Sequence, residues 1–262
     1  MDPKKIAFIA CVNDEELYSR CKENIDKLEI PEGYSIEIQK IVGAGGMPSA
    51  YNQAMQKTDA KYKVYLHQDT FICNPKMLFE MLELFRANPK IGMLGMVGGT
   101  RLPKGGIWFE DGLHSYGKVR EYRRSGIKLI GDLFGRRETI QRFLPVWGKY
   151  KPVLVIDGLL MITQYDIPWR EDLYDSFLYY EGPQSLEFIK AGYLVAIPGL
   201  KDKDIWCMHW GPQSERTAAD HEKMWKGIRE NTKIFVSEYS DFIDKNIKDI
   251  LRKYVYNDSS TK

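Results

Sequence analysis

The chain has 262 residues, of which 44% are hydrophobic, so it is long enough and apolar enough to form a sizeable core. Its 38 basic and 36 acidic residues nearly balance, which argues against a dedicated nucleic-acid binder, and no nucleic-acid partner is predicted. The four cysteines are scattered without a CxxC pair, and no signal-like or membrane-spanning apolar run is seen, so a reduced, cytoplasmic protein is predicted.

The first 97 residues alternate between apolar runs of strand length and amphipathic segments. Predicted strands cover residues 5–12 and 35–42, a third ends at residue 67, and a fourth covers 91–97; predicted helices cover 16–28, 48–57 and 75–88. This β-α-β-α-β order predicts a mostly parallel central sheet joined by crossover helices.

The second half is less regular. Residues from about 98 to 151 hold many glycines, arginines and aromatic residues with little periodicity, which predicts a loop-rich insertion with a short helix near 137–143. Strands are then predicted at 153–156, 194–197 and 205–209, a helix at 184–191, a mostly helical segment at 217–256 and a disordered tail at 257–262. We therefore predict one α/β domain over residues 1–211 and a C-terminal helical extension, 212–262, packed on it.

The last part of this extension, residues 242–256, places apolar residues at helical spacing with lysines and arginines between them. Such a helix suits docking on a membrane surface or on a partner subunit, including a second copy of the chain. Packing on its own domain is the favoured alternative. Peripheral membrane contact therefore stays open beside a cytoplasmic location.

Polar residues that suit a metal ion follow the third strand directly. His67 and Asp69 flank Gln68 where the strand ends, and ligands of open α/β sheets bind at the carboxyl ends of strands. Carboxylate and imidazole ligands suit Mn²⁺, and Mg²⁺ takes one or two carboxylates together with phosphate oxygens. His209, which stands between tryptophans late in the chain, is a candidate third ligand; the alternative is a buried structural histidine.

Acidic residues of the second half supply candidates for a general base, which takes a proton from an attacking hydroxyl. The candidates are Asp157, Glu171, Asp172, Asp175 and Glu181. At most one of them is expected to act, because a charge cluster is usually a solvated loop. The glycine loop at 43–46 does not make a dinucleotide fingerprint, because Pro48 stands where a glycine is needed and the loop follows the second strand.

These motifs together resemble a family 2 glycosyltransferase of the GT-A fold, over roughly residues 6–211. The run AKYKVYLHQD at 60–69 is similar to the third strand of one branch, with His67-Gln68-Asp69 in the place of the family's DxD. The helix QSLEFIKAGY at 184–193 is similar to the one that follows the family's acidic pair. The resemblance implies a GT-A-type nucleotide-sugar-binding fold with a helical C-terminal segment.

The resemblance also implies a function and its residues. It implies a metal-dependent, inverting glycosyltransferase in which Asp69 binds Mn²⁺ or Mg²⁺, with His67 in the place of the first acid and His209 as a late ligand. Glu181 takes the position of the catalytic base, and Asp157 that of an acid near the acceptor. The base is a glutamate here rather than the family's aspartate.

The donor and acceptor follow from the same resemblance. A nucleotide-sugar donor, with UDP-sugars favoured, is expected to contact six residues: Val12, Asn13, Val42, Gly43, Asn52 and Gln68. Val42 and Gly43 stand where the family usually has acids that contact the base and ribose. Trp108 and Phe109, in the insertion, are candidates for part of an acceptor platform, with core packing as the more common alternative for isolated aromatic residues. The acceptor is expected to be a glycan or a lipid-linked sugar, in surface glycan or polysaccharide synthesis.

Two other functions stay open on the same fold. A non-catalytic nucleotide-sugar-binding module would tolerate the unusual HxD and the missing acids of the second strand. A sugar nucleotidyltransferase would show a glycine-rich loop with basic residues after the first strand, whereas residues 13–16 here are Asn-Asp-Glu-Glu.

Overall fold

A computed structural model describes residues 1–123, 137–210 and 217–256. The strands are β1 (Asp2–Val12), β2 (Ser35–Val42), β3 (Ala60–Leu66), β4 (Thr70–Ile72), β5 (Ile91–Gly95), β6 (Val97–Gly99), β7 (Ser115–Arg123), β8 (Arg137–Arg142), β9 (Tyr150–Val153), β10 (Val155–Ile156), β11 (Leu160–Thr163), β12 (Leu194–Pro198) and β13 (Cys207–His209). The helices are α1 (Glu15–Ile25), α2 (Met47–Gln56), α3 (Met77–Ala87), α4 (Glu181–Lys190), α5 (Ala218–Glu238) and α6 (Ile247–Tyr254).

The central sheet has the strand order β2-β1-β3-β11-β5-β12-β9. Strands β2, β1, β3, β5 and β12 run in one direction, and only β11 and β9 run against them. The predicted mostly parallel sheet is therefore confirmed. Its middle strands are buried on both faces, as is typical when crossover helices cover a parallel sheet. The carboxyl ends of β1 and β3 lie side by side as a result.

A second sheet, with the order β10-β6-β7-β13-β4 and with β8 paired to β7, was not predicted. The helix predicted near 137–143 is wrong, because residues 137–142 form strand β8, whose residues pair antiparallel with 118–123 of β7. Pairing with the preceding strand outweighs the weak helical pattern of this segment. Gly117 permits the close packing of β7, since a Cβ there would lie 2.2 Å from the Met96 carbonyl oxygen.

The C-terminal helices pack on the α/β core. Phe235 of α5 and Tyr239, which follows that helix directly, are buried, as are Ile250 and Leu251 of α6. The apolar face of α6 is thus covered by the chain's own domain, which agrees with the favoured alternative. The boundary predicted at 211/212 and the tail at 257–262 fall outside the described residues. In the described ranges no helix has the length and apolar character that crossing a membrane requires.

Candidate active site

A cleft of about 360 Å³ opens at the carboxyl ends of β1 and β3. It is lined by Cys11, Val12, Asn13, Gly43, Ala44, Met47, His67, Gln68, Asp69 and Phe177. Six of the residues predicted for donor or metal binding are in this lining. The parallel pairing of β2, β1 and β3 brings them together, since each strand delivers its last residues to the same edge.

Gln68 holds the floor of this cleft in shape. Its Oε1 accepts hydrogen bonds from the backbone N–H groups of Asn13 and Asp14, at 2.9 and 3.0 Å, and its Nε2 donates to the Asn13 side chain. The side chain therefore ties the loop after β3 to the loop after β1. Its predicted contact with the donor stays a prediction.

Val42 and Asn52, also predicted to contact the donor, are not in the described lining. The Val42 side chain is 65% exposed at the end of β2. The Asn52 amide is buried and exchanges hydrogen bonds with both backbone groups of Trp169, at 2.8 and 2.9 Å, and donates to Glu171. Asn52 thus fixes the segment after β11 against α2, and a role of either residue in donor binding stays a prediction.

The predicted metal ligands do come together. One ligand atom from each of His67, Asp69 and His209 lies within 4.8 Å of the others. His67 Nδ1 is 3.9 Å from Asp69 Oδ1, and His209 Nε2 is 3.3 Å from Asp69 Oδ2. The pairing of β13 with β4 delivers His209, since it lies opposite Thr70 in that ladder.

The charges of this group favour a cation. Burial opposes ionisation of Asp69, but its contacts with the two imidazoles outweigh burial and hold the pKa of Asp69 below its ordinary value. Burial alone would lower the pKa of His209, but its hydrogen bond with Asp69 raises that pKa above the ordinary value. Asp69 Oδ1 is buried without a hydrogen-bond partner in the described part of the chain. A buried carboxylate oxygen that lacks a hydrogen-bond partner and lies beside two imidazoles fits a Mn²⁺ or Mg²⁺ ligand set.

Two further carboxyl groups, those of Glu181 and Asp157, lie near the metal-ligand group. Glu181 is the first residue of α4 and is buried. Burial raises the pKa of its carboxyl to about 8, and the negative charge of Asp157 adds to the rise. A carboxyl group with a pKa near neutrality suits proton transfer. Asp157 and Glu181 were both predicted to serve the chemistry, and the structure places them within electrostatic reach of each other.

The turn that carries Asp157 is bonded directly to the end of β3. Asp157 Oδ1 accepts a hydrogen bond from Leu159 N at 2.9 Å, and His67 N donates to the Leu159 carbonyl at 3.2 Å. Gly158, between them, is buried, and a Cβ there would lie 2.6 Å from Tyr180 Oη and in contact with Glu181 Oε2 at 3.5 Å. Backbone and side-chain hydrogen bonds through Leu159 therefore connect His67 of the metal-ligand group to Asp157 of the carboxyl pair.

Phe177 was missed by the sequence interpretation. Its ring lines the cleft and is 48% exposed, although it lies in the acidic segment between β11 and α4. Asp175 anchors that segment: its carboxylate accepts hydrogen bonds from Ser49 N and Ser49 Oγ, at 3.1 and 2.6 Å, and so caps the start of α2. No periodicity or motif marks Phe177, because its position depends on this distant cap.

The candidate acceptor platform is only partly available. Trp108 is 1% exposed and packs against Phe109, so its ring cannot present a face to a sugar, and that expectation is wrong for Trp108. Phe109 is half-buried and contacts Trp225 of α5. A role for Phe109 in acceptor binding stays a prediction.

The sequence matches the glycosyltransferase-like family over residues 7–239. This match covers most of the chain, so the protein belongs to that family. The predicted class, a glycosyltransferase, is confirmed at that level. No curated protein matches the chain significantly.

Two solved structures share the fold. The mannosyltransferase PcManGT from Pyrobaculum calidifontis, in complex with GDP-Man and Mn²⁺, superposes with a TM-score of 0.53 at 12% identity, over 98% of this chain and 70% of that one. Residues 1–349 of S. aureus TarS, in complex with UDP-GlcNAc, give a TM-score of 0.50 at 10% identity, over 96% and 71%. At such identities the likeness concerns the fold, and it confirms the predicted GT-A-type α/β fold.

Proposed function

We propose that the protein transfers a sugar from a nucleoside-diphosphate donor to an acceptor hydroxyl, with inversion at the anomeric carbon and with a divalent cation. The observation that carries this proposal is the carboxylate of Asp69, which lies beside His67 and His209 in the lining of the cleft and whose Oδ1 is buried without a hydrogen-bond partner among the described residues. A charged oxygen in that position costs folding free energy unless a ligand completes it.

The donor would lie along the cleft with its diphosphate toward Asp69. Backbone around Val12 and Asn13 and the loop that begins at Gly43 would cradle the base and ribose. Val42, Asn52 and Gln68 belong to the predicted donor set as well; Gln68 would act by holding the Asn13 loop in place. The half-exposed ring of Phe177 offers a flat apolar face to the base.

Three residues would hold Mn²⁺ or Mg²⁺: Asp69, His67 and His209. When bound, the cation would neutralise the charge that develops on the leaving diphosphate. Asp69 supplies the negative charge of the ligand set, and the low pKa of its carboxyl keeps that charge present at neutral pH. The imidazoles contribute neutral nitrogen ligands once each has released its proton.

Glu181 would act as the general base. Its buried carboxyl has a pKa of about 8, so it can accept a proton from the acceptor hydroxyl near physiological pH. Deprotonation of the hydroxyl would allow it to attack the anomeric carbon on the face opposite the leaving group, and no covalent intermediate is required. Asp157, on the adjoining turn, would contact the acceptor and tune the pKa of Glu181.

The identity of the donor is part of the proposal. Of the two structural relatives, one carries GDP-Man with Mn²⁺ and the other carries UDP-GlcNAc, so they point to different nucleotides. We favour a UDP-sugar as donor. The acceptor would be a glycan or a lipid-linked sugar in surface polysaccharide synthesis, met in the cytoplasm or at the inner face of a membrane, with the C-terminal helices as a peripheral or homo-oligomer contact.

The first experiment measures the melting temperature with UDP, GDP, CMP and dTDP, each with and without Mn²⁺. One nucleotide should raise the melting temperature, and only when Mn²⁺ is present; Asp69→Asn should remove this response. Consumption of the corresponding nucleotide sugar is then followed for the wild type and for Glu181→Gln. If the wild type binds a nucleotide with metal but neither transfers nor slowly hydrolyses the nucleotide sugar, the non-catalytic module is favoured. If it binds no nucleotide at all, the proposed donor site is overturned.

A further inference from the structure

One phenol joins the two halves of the candidate site. Tyr180 Oη lies 2.7 Å from His67 Nε2 and 3.2 Å from the carbonyl oxygen of Gly158. Tyr180 immediately precedes the candidate base Glu181, and Gly158 immediately follows Asp157. The hydroxyl therefore contacts a candidate metal ligand on one side and the turn of the carboxyl pair on the other.

The carbonyl partner favours one of the two directions that the His67 tautomers allow. A carbonyl oxygen can only accept, so the single hydroxyl proton of Tyr180 is donated to Gly158. The hydroxyl oxygen then accepts from His67, which requires a proton on Nε2. In the neutral imidazole the other nitrogen, Nδ1, carries the lone pair, and Nδ1 is the atom that faces Asp69 Oδ1 at 3.9 Å.

Packing keeps the phenol in this position. Tyr180 is 3% exposed, and its ring contacts the rings of Tyr51 and Trp169, at centroid distances of 5.9 Å each. On the other side Gly158 is essential, because a Cβ there would lie 2.6 Å from Tyr180 Oη. The hydroxyl cannot retreat without moving α4, and so His67 meets a fixed hydrogen-bond acceptor.

We propose that Tyr180 is a positioning residue that holds His67 as the Nε2–H tautomer and thereby presents Nδ1, as a lone-pair donor, on the side of Asp69. The inference rests on the proposed function, because the atom to which Nδ1 is presented is the divalent cation. Tyr180 itself touches neither donor nor cation. Partners of this kind commonly change metal affinity by about 10- to 100-fold when removed.

The tautomer is measured directly, without metal and without a variant. The chain has four histidines, so ¹⁵N-labelled imidazoles give a simple NMR spectrum, and the signals of His67 are those lost in His67→Gln. We expect the neutral His67 of the wild type to show a protonated Nε2 and an unprotonated Nδ1. The opposite tautomer in the wild-type protein would overturn the proposal, whatever the variants do.

The consequence for metal binding is measured with Tyr180→Phe and Mn²⁺ alone, by electron paramagnetic resonance of the free ion. The Mn²⁺ dissociation constant should rise about 10-fold or more, and His67 should become a mixture of tautomers. Tyr174→Phe is the matched control: its half-buried phenol also donates to a backbone carbonyl, that of Tyr179, at 2.8 Å. It should leave the Mn²⁺ affinity unchanged.

Asp69→Asn separates this inference from the function on which it rests. If Asp69→Asn abolishes Mn²⁺ binding and Tyr180→Phe leaves it intact, the role of Tyr180 is overturned and the metal site stands. If Asp69→Asn leaves Mn²⁺ binding intact, the proposed metal site itself fails. Should Tyr180→Phe not fold, the wild-type tautomer still decides the proposal.

Discussion

Asp69 and Glu181 are both largely buried carboxyl groups of the candidate site, yet their surroundings move their pKa values in opposite directions. Burial disfavours the charge on each. For Asp69 the imidazoles of His209 and His67 outweigh burial and lower the pKa. For Glu181 the neighbouring charge is the carboxylate of Asp157, which adds to burial, and the pKa rises to about 8.

This difference separates two kinds of chemistry within one site. A carboxylate that stays charged is suited to hold a cation, whereas one that titrates near neutrality is suited to exchange a proton. The neighbours that decide between these roles come from distant parts of the chain: His209 from β13 and Asp157 from the turn before β11. Substitution of Glu181 should accordingly reduce turnover, and substitution of Asp69 should reduce metal and nucleotide binding.

The largest expected effect is on turnover in Glu181→Gln. The amide keeps the size of the side chain but cannot accept the proton, so turnover should fall by about 10²- to 10⁴-fold. The affinity for the nucleotide with Mn²⁺ should stay within a factor of two or so. Glu83→Gln is the control, since Glu83 is 68% exposed on α3 and forms a surface ion pair with Lys149. Near-normal turnover in Glu181→Gln would assign the base elsewhere, with Asp157 next.

Asp69→Asn should give the opposite pattern. The amide removes the negative charge while keeping the shape, so Mn²⁺ binding and the metal-dependent part of nucleotide binding should weaken by more than the roughly 10- to 100-fold typical of residues behind the ligands. Isothermal titration of Mn²⁺, and of the nucleotide with and without Mn²⁺, measures both. Asp26→Asn, at an exposed ion pair on α1, should change neither affinity. If Asp69→Asn binds Mn²⁺ and the nucleotide as tightly as wild type does, Asp69 does not hold the cation.

Stability should also distinguish the two acids. The folded pKa of Glu181 is about 8 against an ordinary 4.5. Between these values the folded protein keeps a proton that the unfolded chain releases, so this group lowers the free energy of unfolding by about 1.4 kcal/mol per pH unit as pH rises. Glu181→Gln has no titrating group at this position, so this decrease in the free energy of unfolding is absent.

The melting temperature of Glu181→Gln relative to wild type should therefore rise from about pH 5 to about pH 8 and then level off. Chemical denaturation at a series of pH values gives the same difference as a free energy. Glu83→Gln should run parallel to the wild type throughout. A pH-independent difference between Glu181→Gln and wild type would show that Glu181 titrates normally in the folded state.

A smaller effect is expected from Asp157→Asn on the pH profile. The free enzyme needs Glu181 deprotonated, so kcat/KM should rise with pH and reach half its plateau near pH 8. Removing the charge of Asp157 lowers the pKa of Glu181, and the rising limb should move to lower pH. An unmoved limb, with the plateau changed, would mean that Asp157 acts on the acceptor rather than on Glu181.

The sequence predicts the position of Asp69 and His67 better than the surroundings of Glu181. Strand patterns place His67 and Asp69 at the carboxyl end of β3, and that edge of a sheet is where ligands bind, so local information suffices. The helix predicted at 184–191 also exists, although it begins earlier, at Glu181. Neither pattern reveals what surrounds each carboxyl group.

The missing information is long-range. The bond between His67 and Tyr180 spans 113 residues, and the second sheet pairs β4 with β13 across a similar gap. Strand β8 lacks a strong pattern of its own and owes its conformation to β7. Asn52 shows the same limit, because its position in the motif does not reveal that its amide bonds to the backbone of Trp169.

The smallest expected effect tests whether Phe177 belongs to the donor side of the site. Its ring lines the same cleft as Gly43, and base–aromatic stacking is worth at least about 1 kcal/mol, so Phe177→Ala should weaken nucleotide binding about fivefold or more. Mn²⁺-pyrophosphate, which lacks base and ribose, should bind Phe177→Ala as it binds wild type.

Phe79→Ala is the matched control, because Phe79 is an equally exposed ring, at 45%, on the distant helix α3. If Phe177→Ala weakens nucleotide and pyrophosphate alike, the loss comes from the metal-ligand group rather than from stacking. If Phe177→Ala weakens neither ligand but lowers turnover, Phe177 serves the acceptor. The segment before α4 would then belong with Glu181 and Asp157 rather than with the donor site.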